Sequence, residues 1–226
     1  MAASTWTLLP TRCLEPEEVD AVLASARGRA ARSARRGGLQ AEVSLLALRF
    51  GLEAGLRATE LVELAVADAD LRKLATARIH VRKGKGGKSR VIPIRASLAQ
   101  HVRRYVSEVR PRLAADPDPG NLLLGNGGKP LSRHSLNGRM RTVYRNAGLP
   151  QGRIKELSPV HSLRHTCGTI LYRKTKDLRL TQDVLGHSRP SVTAVYATVV
   201  DGEKRSAIEA AFADLDPDSD EARQGQ

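Results

Sequence analysis

The chain has 226 residues, which is long enough for one sizeable domain with a buried core. Its formal net charge of +13 and sequence pI near 10.4 indicate a polyanionic partner and do not by themselves indicate a fold. The two cysteines are far apart in sequence and no apolar run is long, which excludes a zinc finger, a signal peptide and a membrane span, so we expect no disulfide and a cytoplasmic location.

The N-terminal region predicts a helix followed by a basic segment. Residues 1–13 are expected to be irregular, and residues 16–27 form a helix with acidic residues at its start. Residues 27–38 contain five arginines. We interpret this segment either as an exposed helix end or loop, or as a contact to a nucleic-acid backbone, with neither interpretation preferred.

The rest of the chain predicts a mainly α fold with a small antiparallel β-sheet (α+β). Strand-like sequences at 78–81 and 90–94 flank a glycine-rich hairpin tip, 83–88, and 122–124 is a further short strand. Helices are predicted at 39–53 (broken by Gly55), 57–64, 96–112, 132–147, 158–174, 177–185, 190–196 and 203–213, with a loop at 116–121.

The domain organisation follows from these elements. No linker interrupts residues 14–213, so they are expected to form a single domain after the irregular segment 1–13. Residues 214–226 contain five acidic residues and one basic residue, which predicts a disordered acidic tail.

Two cationic residues in the first half are candidate phosphate ligands. Arg57 and Glu60 are three residues apart, which fits a helix ion pair or an arginine oriented toward phosphate by the carboxylate. Lys85 lies in the glycine-rich hairpin tip, which is either a solvated turn or a flexible arm that reaches into DNA. The tip is not a P-loop, because an extended segment with Pro93 follows it in place of a helix.

A second group of candidates lies in the predicted helix 158–174. His161 and Arg164 share one helix face, which we expect to be offered to a ligand. The neighbouring apolar stripe that we expect to be buried consists of Leu163, Cys167, Ile170 and Leu171. A His/Arg pair on a helix usually belongs to an ordinary exposed surface, so this pair alone is weak evidence for a functional site.

The third group is His187 and Tyr196, which are nine residues apart. Gly186 and His187 are expected to end one helix, and Pro190 to begin the next. A tyrosine at such a position is most often a core residue with its hydroxyl at the rim. A nucleophilic hydroxyl is the alternative.

In combination and in order, these residues resemble the tyrosine recombinase (phage integrase) family. The matching elements are Arg57 in Gly-Leu-Arg-x-x-Glu-Leu, Lys85 in Gly-Lys-Gly, His161-x-x-Arg164-His165, Leu-Gly-His187 and Tyr196. The resemblance covers about residues 14–212 and implies the catalytic-domain fold of that family. It favours Lys85 over Lys83 and Lys88, because the matching family lysine stands in Gly-Lys-Gly.

The resemblance implies a covalent reaction with DNA. Tyr196 would attack the scissile phosphate and form a 3′-phosphotyrosyl bond. Lys85 would protonate the departing 5′ oxygen, and His161 would assist the tyrosine as a general base or hydrogen-bond donor.

The remaining family residues would stabilise the phosphate. Arg57 and Arg164 would bind the non-bridging oxygens, and His187 would donate a further hydrogen bond. The phosphotyrosyl link conserves the bond energy, so neither a cofactor nor a metal ion is implied.

The implied partners are double-stranded DNA and further copies of the chain. The family pattern predicts a tetramer on DNA through a C-terminal helix at 201–212, although the apolar face of that helix fits packing on its own domain equally well. Accessory DNA-bending proteins could take part. Because the pattern begins near Leu14, we expect the N-terminal DNA-clamping domain of the family to be absent.

Two other functions stay open at the level of sequence. A truncated or inactive integrase would bind DNA in a salt-dependent way without forming an adduct. A type IB topoisomerase would relax supercoiled DNA without recombining it. The short chain and the His-x-x-Arg-His pattern favour the recombinase.

Overall fold

The computed structural model describes residues 12–82 and 89–186. The helices in these residues are α1 (Pro16–Arg35), α2 (Gln40–Glu53), α3 (Ala58–Glu63), α4 (Ala96–Arg104), α5 (Arg133–Asn146), α6 (Gln151–Glu156), α7 (Pro159–Thr175) and α8 (Leu178–Leu185). An antiparallel sheet has the strand order β1 (Ala69–Asp70), β2 (Arg78–Val81) and β3 (Arg90–Pro93). The predicted fold class, mainly helical with a small antiparallel sheet, is confirmed.

Helix α1 is longer than predicted. Val22, Ala26 and Ala30 are buried at a spacing of four residues, so the apolar stripe continues into the arginine-rich segment. The helix therefore runs to Arg35, so most of segment 27–38 is the exposed helix end that was one of the predicted alternatives, and not a loop. The five arginines are exposed on the solvent side of the last turns and beyond.

Helix α2 forms the centre of the core, packed against α1, α5 and α7. Most of its side chains are buried, as its apolar composition predicts. A Cβ atom at Gly51 would lie 2.8 Å from Cδ1 of Leu163, so glycine lets the α2 and α7 backbones approach closely. The helix ends before Gly55, whose φ of +61° lies in the left-handed region.

Several other boundaries differ from the prediction. Residues 122–124 are buried but form no strand, because only Leu124 makes a single bridge, to Pro130. Helix α4 continues through a wide π turn (Tyr105–Val109) and a tight 3-10 turn (Arg110–Arg112), in place of one regular helix over 96–112. The short elements β1 and α6 were not predicted.

Some predictions lie outside the described residues, including the helices at 190–196 and 203–213 and the acidic tail. The domain boundaries therefore stay predictions. Among the helices of residues 12–82 and 89–186, none is long and apolar enough to cross a membrane.

Candidate functional site

The site is built around Glu60, the third residue of the short helix α3. Its Oε2 atom accepts the backbone N–H of Arg57 at 2.9 Å, and its Oε1 atom accepts Nη1 of the same arginine at 2.7 Å. Glu60 therefore caps the start of the helix and also fixes the side chain of Arg57. This geometry confirms the predicted ion pair at a spacing of three residues.

A second arginine shares the same carboxylate. Arg90 on β3 donates from Nη1 to Oε1 of Glu60 at 2.8 Å and from Nη2 to Oε2 at 2.9 Å. Glu60 is only 5% exposed, so this is a bidentate pair in a largely water-excluded place. One buried carboxylate thus holds two guanidinium groups from different parts of the fold.

The pKa of Glu60 reflects this environment. Burial alone would raise the pKa of the carboxyl, but the hydrogen bonds and charges of Arg90 and Arg57 outweigh burial and lower it to about 2. The carboxylate therefore stays ionised at neutral pH and across most of the acidic range.

This shift predicts an acid-dependent loss of stability. The pKa is about 2 in the folded chain against an ordinary value of 4.5. Ionised Glu60 therefore stabilises the fold above pH 4.5, and the stabilisation is lost as the pH falls from 4.5 toward 2, because the unfolded chain takes up the proton first. For a shift of this size the contribution is about 3 kcal/mol.

Urea unfolding at pH 7 and pH 3 measures this effect in the wild type and in Glu60→Gln. The difference in free energy of unfolding between the two proteins should be smaller at pH 3. Glu17→Gln, at an exposed position of α1, is the control that should show little difference at either pH. A Glu60→Gln difference that is independent of pH would contradict the prediction.

Arg164 lies in the interior, whereas His161, its neighbour on the face that was predicted to be offered to a ligand, is exposed. Arg164 is 1% exposed, and it donates from Nη1 to the carbonyl of Gly55 at 2.6 Å and from Nη2 to that of Leu185 at 2.5 Å. It thereby joins the end of α2 to the end of α8. The predicted apolar stripe is correct for Leu163 and Cys167 but wrong for Ile170, which is 44% exposed.

The end of α8 is held by arginines from three different elements. Nε of Arg90 donates to the carbonyl of Val184 (3.2 Å), Nη2 of Arg164 to that of Leu185 (2.5 Å) and Nη2 of Arg57 to that of Gly186 (3.1 Å). Gly186 has φ +64°, and a Cβ atom there would lie 2.7 Å from Cδ of Arg90. Three consecutive carbonyls thus direct their partial negative charge at three guanidinium groups.

His161 and Arg57 line an open groove together with the first turn of α5. The residues in this part of the groove are Ser132, which caps the start of α5, and Arg133, His134 and Asn137 of α5 itself. His161 is exposed but partly desolvated, and this desolvation, together with the positive charges of Arg164, Arg57 and Arg12, lowers the pKa of its imidazole. The lowered pKa favours the neutral ring, which can accept a proton at neutral pH.

The structure therefore gathers three of the six predicted site residues, namely Arg57, His161 and Arg164. Lys85, His187 and Tyr196 lie outside the described residues. Within residues 12–82 and 89–186, no three His, Cys, Asp or Glu side chains are grouped so that they could hold a metal ion.

Sequence reasoning missed Arg90. Its partners are 30 residues away at Glu60 and 94 residues away at Val184, so no local spacing could indicate them. The one available signal was an arginine at the start of a strand, directly before Val91 and Ile92, and that pattern is too common to select a residue.

Comparisons with known proteins identify the family of the chain. A model of the phage integrase family matches residues 12–203. The tyrosine recombinase XerD of Staphylococcus epidermidis is 34% identical over 145 residues, which cover 64% of this chain and 46% of that protein. XerD of Halalkalibacterium halodurans is 31% identical over 188 residues, which cover 83% of this chain and 57% of that protein.

A solved structure of a XerH site-specific recombinase bound to its difH substrate, in a pre-cleavage complex, has a similar fold. Its TM-score is 0.68 at 26% identity, and the match covers 84% of this chain and 50% of that one. The chain belongs to the phage integrase family. It spans about half the length of the relatives that it matches.

Proposed function

We propose that this chain cuts and rejoins DNA as a site-specific tyrosine recombinase, with Tyr196 as the nucleophile. The observation that carries the proposal is the convergence of Arg57 and Arg164 on the carbonyls of Gly186 and Leu185. Gly186 is the residue directly before His187. Two arginines that we propose to bind phosphate, from distant parts of the sequence, therefore meet at the Leu-Gly-His motif.

In the proposed reaction, the Tyr196 oxygen bonds to phosphorus and the 5′ oxygen leaves. Lys85 gives the leaving oxygen its proton, and the neutral imidazole of His161 accepts the tyrosine proton. Attack by a 5′-hydroxyl of another strand reverses these steps. The phosphodiester energy is kept in the 3′-phosphotyrosyl bond throughout, so no nucleotide is hydrolysed.

Arg57, Arg164 and His187 would stabilise the negative charge on the non-bridging oxygens. The side chain of Arg57 is 22% exposed and lines the groove, so it is placed to meet phosphate directly. Arg164 is buried behind it, and we propose that it reaches the phosphate only once DNA is bound. Its guanidinium has five N–H donors, so contacts to carbonyls and to phosphate are compatible.

Two surfaces support double-stranded DNA as the partner. The groove at Arg57 continues along the first turn of α5. There Arg133 adds a cationic hydrogen-bond donor, and His134 adds an imidazole ring. Within the described residues, the five arginines of segment 27–38 form no ion pair with a carboxylate. Exposed arginines without a carboxylate partner at a helix end suit contact with a phosphate backbone.

Assembly on DNA is the further part of the proposal. XerH is described as a complex with its DNA substrate. We propose a homo-oligomer on DNA, a tetramer joined through residues 201–212, with accessory DNA-bending proteins as further partners, acting in the cytoplasm.

Trapping of the covalent intermediate tests the proposal. The protein is mixed with DNA that carries its cognate site and a nick beside the scissile phosphate. After cleavage, the short fragment with the free 5′-hydroxyl diffuses away and cannot be rejoined. Wild type is expected to accumulate a protein–DNA adduct with or without a chelator, and Tyr196→Phe is expected to form none.

The other outcomes select the other functions. Salt-sensitive DNA binding with no adduct would indicate a chain that only binds DNA. Relaxation of supercoiled plasmid without recombined products would indicate a topoisomerase. An adduct formed by Tyr196→Phe would exclude Tyr196 as the nucleophile.

A further inference from the structure

Glu60 sits between two arginines, and the charge balance of this trio has a consequence for Arg57. Glu60 carries one negative charge, and Arg57 and Arg90 carry one positive charge each, so the trio has one positive charge in excess. All four contacts to the carboxylate are between 2.7 and 2.9 Å. Both carboxylate oxygens are therefore shared between the two arginines.

Without Arg90, the net charge around Glu60 would change. Glu60 and Arg57 would form a neutral pair, and both oxygens of the buried carboxylate would be left to Arg57 alone. A bidentate pair with Glu60 would draw the guanidinium of Arg57 from the carbonyl of Gly186, to which it now donates at 3.1 Å. A neutral pair would also attract a phosphodiester much less than a cation does.

Arg90 is itself firmly held. It is 12% exposed in its side chain, it binds both oxygens of Glu60, and its Nε donates to the carbonyl of Val184. Its stem packs on Gly186, where a Cβ atom would come within 2.9 Å of Nε and Nη1. One side chain thus joins β3, α3 and the end of α8.

From this geometry we infer that Arg90 is a positioning residue for strand cleavage. It neutralises Glu60, so that the carboxylate does not offset the positive charge of Arg57 and Arg57 keeps its orientation for the scissile phosphate. The inference rests on the proposed function, because cleavage is the reaction in which Arg57 would act. Arg90 itself would act through Glu60 and need not touch DNA.

A charge-compensation experiment tests this role. Arg90→Met is expected to slow formation of the covalent adduct by about tenfold to a hundredfold, the loss found for residues that orient metal ligands through a hydrogen bond. Arg90→Met combined with Glu60→Gln removes both of these charges. The positive charge of Arg57 is then no longer offset by a carboxylate. We expect this double variant to recover about tenfold over Arg90→Met, within the coupling found for contacting residues. Arg90→Lys keeps the charge and should lose less than Arg90→Met.

A substrate change gives an independent measurement. In DNA with a methylphosphonate at the scissile position, a methyl group replaces one non-bridging oxygen and the phosphorus centre is uncharged. The loss caused by Arg90→Met should shrink on this substrate, because less negative charge remains for Arg57 to stabilise. Thermal unfolding shows whether each variant is folded.

The inference is overturned if the double variant is slower than Arg90→Met, or if Arg90→Met loses equally on both substrates. A wild type that forms no adduct would refute the proposed function instead. In that case the role of Arg90 would be tested by the affinity for sulfate, measured by titration of the side-chain nitrogen NMR signal of Arg57. Arg90→Met should weaken this binding and the double variant should restore it, and equal binding by wild type and Arg90→Met would also overturn the inference.

Discussion

Replacement of Arg164 by alanine is expected to lower the rate of adduct formation by about a hundredfold to a thousandfold, the usual cost of removing one charge-stabilising donor. The same change should lower the free energy of unfolding by about 2 to 4 kcal/mol, because the carbonyls of Gly55 and Leu185 would each lose a buried donor. These two losses arise from one side chain that joins two helix ends and that, in the proposed mechanism, also binds phosphate.

Suicide-substrate kinetics and urea unfolding measure the two effects of Arg164→Ala separately. Arg173→Ala is the matched control, because Arg173 lies on the same helix, α7, but is exposed. The control should leave both quantities nearly unchanged. A folded Arg164→Ala protein with the wild-type rate would remove Arg164 from the proposed mechanism, and unchanged stability would contradict its role at the helix ends.

The sequence was sufficient to select Arg57, His161 and Arg164 as candidates, because the order and spacing of their motifs are specific. It was not sufficient to predict how they are held. The contacts of Arg164 reach 109 positions along the chain to Gly55 and 21 positions to Leu185. Helical periodicity places Arg164 beside His161 on one face but cannot show that the end of α8 covers that face.

The fold shows the same division between local and long-range information. The stripe of Val22, Ala26 and Ala30 was readable, yet the arginines between its positions favoured an end at residue 27. Residues 122–124 have the composition of a strand, but a strand also needs a partner along its length, and only Leu124 finds one. The paired strands β2 and β3 were predictable, because a glycine-rich hairpin tip separates two strand-like sequences. The short element β1 and the bridge at Leu124 depend on partners that lie farther away in sequence.

The two arginines of the site depend on backbone atoms as much as on side chains. Arg57 and Arg164 donate to carbonyls of Gly186, Gly55 and Leu185, and the two glycines adopt left-handed φ angles. Side chains larger than hydrogen at these glycines would separate the helix ends that the arginines join. The glycines of the Gly-Leu-Arg and Leu-Gly-His motifs therefore allow the close approach of the helix ends that the arginines join.

Gly55→Ala tests directly whether this close approach of the helix ends is needed. A Cβ atom at position 55 would lie 2.4 Å from Cδ2 of buried Leu185 and 3.2 Å from Sγ of Cys167. Left-handed strain of about 1 to 2 kcal/mol and overpacking of about 1 to 3 kcal/mol together predict a loss of about 3 kcal/mol in the free energy of unfolding. Adduct formation should slow as well, because displacement of Leu185 moves the carbonyl that Arg164 binds.

Gly37→Ala separates the two causes. Gly37 has φ +77°, and a Cβ atom at this position would have no neighbour within 4 Å, so alanine there suffers the strain without the overpacking. Urea unfolding of Gly37→Ala should show a loss of only about 1 to 2 kcal/mol, and its adduct rate should equal that of wild type. If both alanine variants lost the same stability and kept the same rate, the close contact of Gly55 with the end of α8 would have no part in holding Arg164, and the arginine would have to be positioned by its helix alone.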